Sequence, residues 1–294
     1  MQTPTDQYTS VDGIKTRYWQ VGEQGTPLVL IHGAGGAIDY WYKNVFALAE
    51  RHRVYALDLV GSGKSDKPDE TYTYDDLSRF VVSFMNALEI PQASFIAASA
   101  GGAIALKLTL AFPERVNKLI LVGSAGLGEK VAFTARLTSI PGIGEALNRP
   151  SLATARFFIR QCAYNSAPFL NNEFINLVYR NLSLEVLQFQ LRTFRTTANF
   201  WGVKSEFLRS IVEHLSEIQV PTLVVWGKQD KLIPVEYASI ATQKISFAKL
   251  HLFDQCGHWC YLEYPNEFNG LVIDFLSEPL ETLLLQQSKG LARK

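Results

Sequence analysis

A serine, an aspartate and a histidine, each placed just after an apolar run, could together carry out acyl transfer. The serine is Ser99, in Phe95-Ile96-Ala97-Ala98-Ser99-Ala100-Gly101-Gly102. An apolar strand ends there and a helix of small residues starts at once, the setting of a nucleophile elbow. Such a corner holds its serine in a strained backbone conformation that lifts the hydroxyl above the sheet edge. Strand and helix nearly touch at the bend, so the residues two before and two after must be small. Here they are Ala97 and Gly101; glycine is usual at the first of them, and Ala97 adds one methyl.

A serine hydroxyl is a weak nucleophile until a positioned base takes its proton, and a carboxylate must fix the tautomer of that base. Of the five histidines, His52 and His214 lie in polar surroundings and His251 lies within a strand. His32 precedes a glycine loop, where a packing or hydrogen-bonding role is expected. His258 follows a strand by the short turn Gln255-Cys256-Gly257 and is the expected base. The expected acid is Asp230, just beyond the run Pro221-Thr-Leu-Val-Val-Trp226. Asp254 competes, but its place before His258 gives poorer reach to the far side of the imidazole. Position 124, after the preceding strand, is a serine and offers no acid. The order Ser, Asp, His is the one a strand–turn–helix hydrolase needs.

The loop His32-Gly33-Ala34-Gly35-Gly36 follows the run Leu28-Val-Leu-Ile31. Its small residues let backbone N–H groups approach an anion, as an oxyanion hole requires. A dinucleotide loop would need glycine at position 38, which is Ile38. Gly61-Ser-Gly63-Lys64-Ser65 resembles a phosphate loop, but Asp58 stands where its first glycine belongs and no helix follows. Cys256, His258 and Cys260 fall short of four metal ligands, so no metal and no cofactor is expected.

The elements that must position these groups alternate. Strands are expected over residues 13–21 and 26–31, at 54–57, before Ser99, at 119–122, at 221–226 and at 248–253. A helix is expected over 74–88, capped by Thr73 with Asp76 and carrying the stripe Leu77, Phe80, Val81, Phe84 and Leu88. Further helices follow the elbow to Phe112 and close the fold over 266–276. The pattern implies an α/β fold with a mainly parallel, doubly wound sheet and its active loops at the strands' C-terminal ends. The alternation stops after Gly123: residues 125–215 read as an inserted helical cap between core segments 1–124 and 216–294, with the tail 283–294 loosely held.

The chain has 294 residues, 47% of them hydrophobic and 19% charged, with 28 basic and 28 acidic side chains. Balanced charge without blocks argues against nucleic acid and anionic membranes as partners. No run approaches a membrane span, and the polar N-terminus lacks a signal core. Three cysteines, an odd number, suit reduced thiols in a cytoplasm. A small-molecule substrate is the expected partner, and nothing opposes a homodimer.

These residues carry a resemblance to the α/β-hydrolase superfamily over nearly the whole chain. The matching motifs are His32-Gly33-Ala34-Gly35, Asp58-x-x-Gly61-x-Gly63-x-Ser65, the Ser99 elbow, Gly227-x-x-Asp230 and Gly257-His258. The segments from Asp58 to Pro68 and from Cys256 to Trp259, with Leu262-Glu263 and Phe268-Asn-Gly270, look most like the meta-cleavage-product hydrolases. Those enzymes cut carbon–carbon bonds in vinylogous diketo acids. The resemblance implies that Arg180 corresponds to a cap arginine that binds the substrate carboxylate. Two positions depart from that subfamily: Ala98 replaces an asparagine before the nucleophile, and Gly36 replaces a proline, with Asn44 at a shifted offset. Both changes remove polar groups that would orient an acidic substrate, which admits a less polar ester.

The expected chemistry is therefore attack by Ser99, with His258 as base, Asp230 as its partner and the N–H groups of Ala34 and Ala100 as oxyanion hole. Gly33, Gly35 and Trp259 are expected to contact the substrate, Trp259 as part of the pocket wall. The rival functions are a cofactor-free perhydrolase or haloperoxidase, against which the long cap argues, and a ligand-binding receptor that retains a triad.

Overall fold

A computed structural model of the chain describes residues 1–279. The tail 283–294, expected to be loosely held, lies outside the described residues. The first strands are β1 (Gln7–Val11), β2 (Ile14–Val21), β3 (Pro27–Ile31), β4 (Arg53–Leu57), β5 (Ala93–Ala98) and β6 (Val116–Val122). A two-residue ribbon of β7 (Ala198–Asn199) and β8 (Gly202–Val203) interrupts the helical stretch that follows, and β9 (Thr222–Gly227) and β10 (Ala248–Phe253) complete the main sheet. Its order is β1-β2-β4-β3-β5-β6-β9-β10, antiparallel at the β1–β2 and β2–β4 pairings and parallel elsewhere.

Alternate residues of the central strands face opposite sides. Leu28, Leu30, Ile96 and Ile120 pack into one core, while Val29, Ile31, Phe95 and Leu121 pack into the other. Both sides are covered, which is why these strands read as unbroken apolar runs. Against the first core lie α1 (Val45–Ala49) and, at the end of the chain, α12 (Pro265–Ser277). Against the second lie α2 (Tyr74–Ala87) and α3 (Ala100–Ala111), joined by α10 (Tyr237–Lys244). The start of α2 carries the expected capping box: Asp76 N–H donates to Thr73 Oγ1 at 3.2 Å and Thr73 N–H donates to Asp76 Oδ2 at 2.8 Å.

Between β6 and β9 the chain forms α4 (Phe133–Thr138), α5 (Ile143–Leu147), α6 (Leu152–Cys162), α7 (Asn172–Asn181), α8 (Leu184–Thr197) and α9 (Ser205–Val212). A short α11 (Cys260–Glu263) follows β10. No helix among the described residues is long and apolar enough to cross a membrane.

The loop after β4 folds back on Asp58, which is fully buried. Asp58 accepts from Ile38 N–H and Lys64 N–H, both at 2.8 Å, and Ser65 Oγ donates to Asp58 O at 2.8 Å. A Cβ on Gly63 would lie 2.1 Å from Asp58 Oδ2, so the glycine in this motif makes room for the carboxylate. Arg17, 2% exposed, completes the knot through Asp6 (2.7 Å), Asp39 (2.8 Å) and Asp58 (3.2 Å). Removing one partner of a buried ion cluster leaves charge uncompensated in a medium that solvates it poorly. Arg17→Met is therefore expected to lower the urea-unfolding free energy by about 3–5 kcal/mol. A loss below about 1 kcal/mol would mean the cluster is solvated like a surface pair.

Candidate active site

Ser99 sits between β5 and α3 at φ 56° and ψ −122°. Holding a non-glycine residue in so sparsely populated a conformation costs about 1–3 kcal/mol. Neighbouring backbone clamps it there. Ser99 N–H donates to Val122 O, and Ser99 O accepts from Gly102 N–H and Ala125 N–H, all at 2.9 Å. A Cβ on Gly101 would come within 2.6 Å of His32 O and 2.7 Å of Ile31 O, which is the physical content of the small-residue rule at this bend.

His258 and Asp230 meet at the end of the neighbouring strands. His258 Nδ1 lies 2.7 Å from Asp230 Oδ2, with the aspartate side chain fully buried and the imidazole 5% exposed. Asp230 Oδ1 accepts from Leu232 N–H at 2.8 Å and Ile233 N–H at 3.0 Å. Asp254 lies outside this contact, accepting from Gln229 and Gln255 on the surface. The His258 backbone is anchored to the end of α6, since its N–H donates to Cys162 O at 2.7 Å.

Strand order creates a spacing problem that Gly123 solves. β6 stands between β5, which carries Ser99, and β9, which leads to Asp230. The residue ending β6 therefore lies under the imidazole. Gly123 has φ +52°, and a Cβ there would sit 3.0 Å from His258 Nδ1 and 3.3 Å from Asp230 Oδ2. Nothing in the sequence marked this glycine as functional, because its contribution is the absence of a side chain.

Ser99 and His258 line one cavity of about 650 Å³, with Gly33, Ala34, Gly35 and Ala100 beside them. Among the described residues no hydrogen bond joins the Ser99 hydroxyl to His258. Such contacts often tighten only once substrate is bound. The N–H groups of Ala34 and Ala100 likewise make no hydrogen bond among the described residues. Ala100 opens α3, so its N–H also lies at the positive end of the helix dipole. Trp259 is in the cavity wall, edge-on to Phe158 and Tyr40 with ring centroids 5.6 Å apart in each case.

Two further residues hold the loops: Glu263, which the sequence offered only within the Leu262-Glu263 likeness, and Gln190, which carried no sequence signal. Glu263 Oε1 accepts from Gly257 N–H at 2.8 Å while Oε2 accepts from Tyr164 N–H at 2.9 Å, tying the His258 turn to the segment after α6. Gln190 Oε1 accepts from Gly35 N–H at 2.8 Å. Arg180, by contrast, is exposed on α7 and donates through Nε to Asn176 O at 3.2 Å. It is not among the residues that line the cavity. The buried face of α7 is Phe174, Ile175 and Val178, and two residues beyond Val178 the helix points away from it. Asn44 also stays out of the cavity: its amide donates to Tyr261 O at 3.0 Å and Asn269 Oδ1 at 2.8 Å.

His32 steadies the glycine loop in its neutral form. Nδ1–H donates to Gly33 O at 2.8 Å and Nε2 accepts from Leu59 N–H at 3.2 Å. Burial holds this imidazole below its ordinary range, against the pull of the Asp58 charge. The unfolded chain takes up that proton near pH 6.5, so stability present above this value is lost as pH falls below it. The sign is that of a group whose folded pKa is depressed. Between pH 7.5 and 5.5 the wild-type urea-unfolding free energy should drop more than that of His32→Gln, by at most about 1.4 kcal/mol per pH unit. Parallel pH dependence in both proteins would mean that His32 takes up its proton as readily in the fold as in the unfolded chain.

A family model described as the alpha/beta hydrolase fold matches residues 26–265. The chain is 34% identical over 271 residues to the 2-hydroxymuconate semialdehyde hydrolase of Pseudomonas sp. (strain CF600), covering 90% of this chain and 92% of that protein. It is 31% identical over 276 residues to the 2-hydroxy-6-oxo-6-(2'-aminophenyl)hexa-2,4-dienoic acid hydrolase of Metapseudomonas resinovorans, covering 92% and 91%. Among solved structures, the meta-cleavage product hydrolase of Pseudomonas fluorescens IP01 superposes with a TM-score of 0.77 at 29% identity, covering 92% of this chain and 97% of that one.

Proposed function

This chain belongs to the α/β-hydrolase family and is an enzyme of hydrolase type, and we propose that it is a serine hydrolase in which Ser99, His258 and Asp230 form the catalytic triad. The observation that carries this reading is the buried His258–Asp230 pair at 2.7 Å, whose imidazole lines the cavity that also holds a strained Ser99. His258 takes the Ser99 proton as Oγ attacks a substrate carbonyl carbon. Asp230 accepts from Nδ1–H and stabilises the imidazolium. The N–H groups of Ala34 and Ala100 receive the oxyanion. The leaving group takes the proton from His258, and water then releases the acyl group by the same steps.

The substrate bond is the carbonyl–oxygen bond of a small carboxylic ester. A second reading, cleavage of a carbon–carbon bond in a vinylogous diketo acid, is favoured by the dienoate substrates that the relatives' names carry. Three buried free thiols support a reducing, cytoplasmic setting. A fluorophosphonate probe followed by peptide mapping tests the proposal. Label on Ser99, slowed while a p-nitrophenyl ester is present in excess, is expected, and label on any other residue would refute it.

A further inference from the structure

We propose that the substrate is an uncharged, largely apolar acyl compound, and that the cavity rejects the same compound when its acyl chain ends in a carboxylate. The inference names the substrate class of the serine-hydrolase site and rests on that reading. Apart from His258, every residue lining the cavity is uncharged. Its polar members on the cap side are Thr134, Thr138, Asn148, Thr154, Gln161 and Gln190, all neutral, set among Leu137, Phe157, Phe158, Leu187 and Leu191.

The cap carries eight arginines, none of which lines the cavity, and the guanidinium groups of three of them are engaged elsewhere. Arg136 donates to Phe200 O at 2.7 Å. Arg192 reaches Pro68 O at 3.2 Å and Asp69 at 3.1 Å. Arg195 binds Ser139 O at 3.1 Å and Glu145 at 2.6 Å. Arg180 is exposed on α7. A carboxylate entering the cavity would therefore exchange its hydration for neutral dipoles alone, which replace only part of it.

Gln190 supplies the one specific polar feature. Its Oε1 is occupied by Gly35 N–H, while Nε2 is buried and has no hydrogen-bond partner. That donor suits a neutral acceptor such as a carbonyl or ether oxygen. At about 30 Å³ per atom, the liquid-water share, the cavity holds roughly 20 non-hydrogen atoms, a size that includes p-nitrophenyl octanoate.

The test uses the Ser99→Ala protein, which binds without turnover. Calorimetric titration at pH 8 compares p-nitrophenyl octanoate with the p-nitrophenyl monoester of octanedioic acid, which differs by a terminal carboxylate. The neutral ester should bind about 100-fold more tightly, or better. Equal affinities, tighter binding of the acid, or binding of neither would overturn the inference. Turnover and fluorophosphonate labelling of the wild type are read separately. If Ser99 is not labelled while the binding preference holds, the serine-hydrolase reading fails and the preference stands.

Discussion

Ser99→Ala is expected to lower kcat for p-nitrophenyl octanoate by about 10⁵–10⁶-fold with the melting temperature essentially unchanged. The size of the loss follows from how the three groups act as a unit. Without Oγ there is no nucleophile for His258 to activate, and only substrate positioning and the oxyanion donors still act. The fold should not notice, because the backbone at Ser99 is held by Val122 O, Gly102 N–H and Ala125 N–H rather than by its hydroxyl. Neither Cys162 nor Cys256 offers a substitute thiolate. Burial raises the Cys162 thiol well above its ordinary range, and the Cys260 contact, followed by burial, does the same to Cys256. Retention of more than about a hundredth of the wild-type kcat would remove Ser99 as nucleophile.

How much of this site could be read before any coordinates existed depended on which physical signal each residue carries. Ser99, His258 and Asp230 were legible because reactive types at strand ends are uncommon, and the apolar runs that locate those ends are strong. The capping box of α2 was legible for a similar reason, since two side chains declare one helix end. β1 was not: Gln7–Val11 is a mostly polar edge strand, two of whose five residues are exposed. Its signal lay in Asp12-Gly13, whose positive φ values of 51° and 84° make the tight hairpin to β2. Gly123 was silent because it works by having no Cβ, and Glu263, legible only within a motif likeness, gave no sign of its role because its partners are backbone N–H groups. Arg180 shows the opposite error. A motif likeness placed it at the substrate, while the periodicity of Phe174, Ile175 and Val178 already turned it outward.

Asp230→Asn is expected to reduce kcat by about 10⁴-fold near pH 8, and the geometry says why an isosteric change should be so costly. Oδ1 accepts two backbone N–H groups, from Leu232 and Ile233. In the asparagine variant the amide oxygen must keep that place, because an NH₂ there would face two donors. The NH₂ is then directed at His258 Nδ1, which can meet it only as an acceptor. The ring proton moves to Nε2, and the nitrogen that should deprotonate Ser99 is no longer basic. The nearest rival carboxylate provides the control. Asp254, 65% exposed and bonded to Gln229, should be replaceable by asparagine with less than about a twofold change. Fluorophosphonate labelling should slow in parallel with turnover in Asp230→Asn, since both need the same proton transfer from Ser99. If Asp254→Asn instead proved the damaging change, the carboxylate that orients His258 would lie on the loop after β10, and the 2.7 Å contact with Asp230 would be structural only.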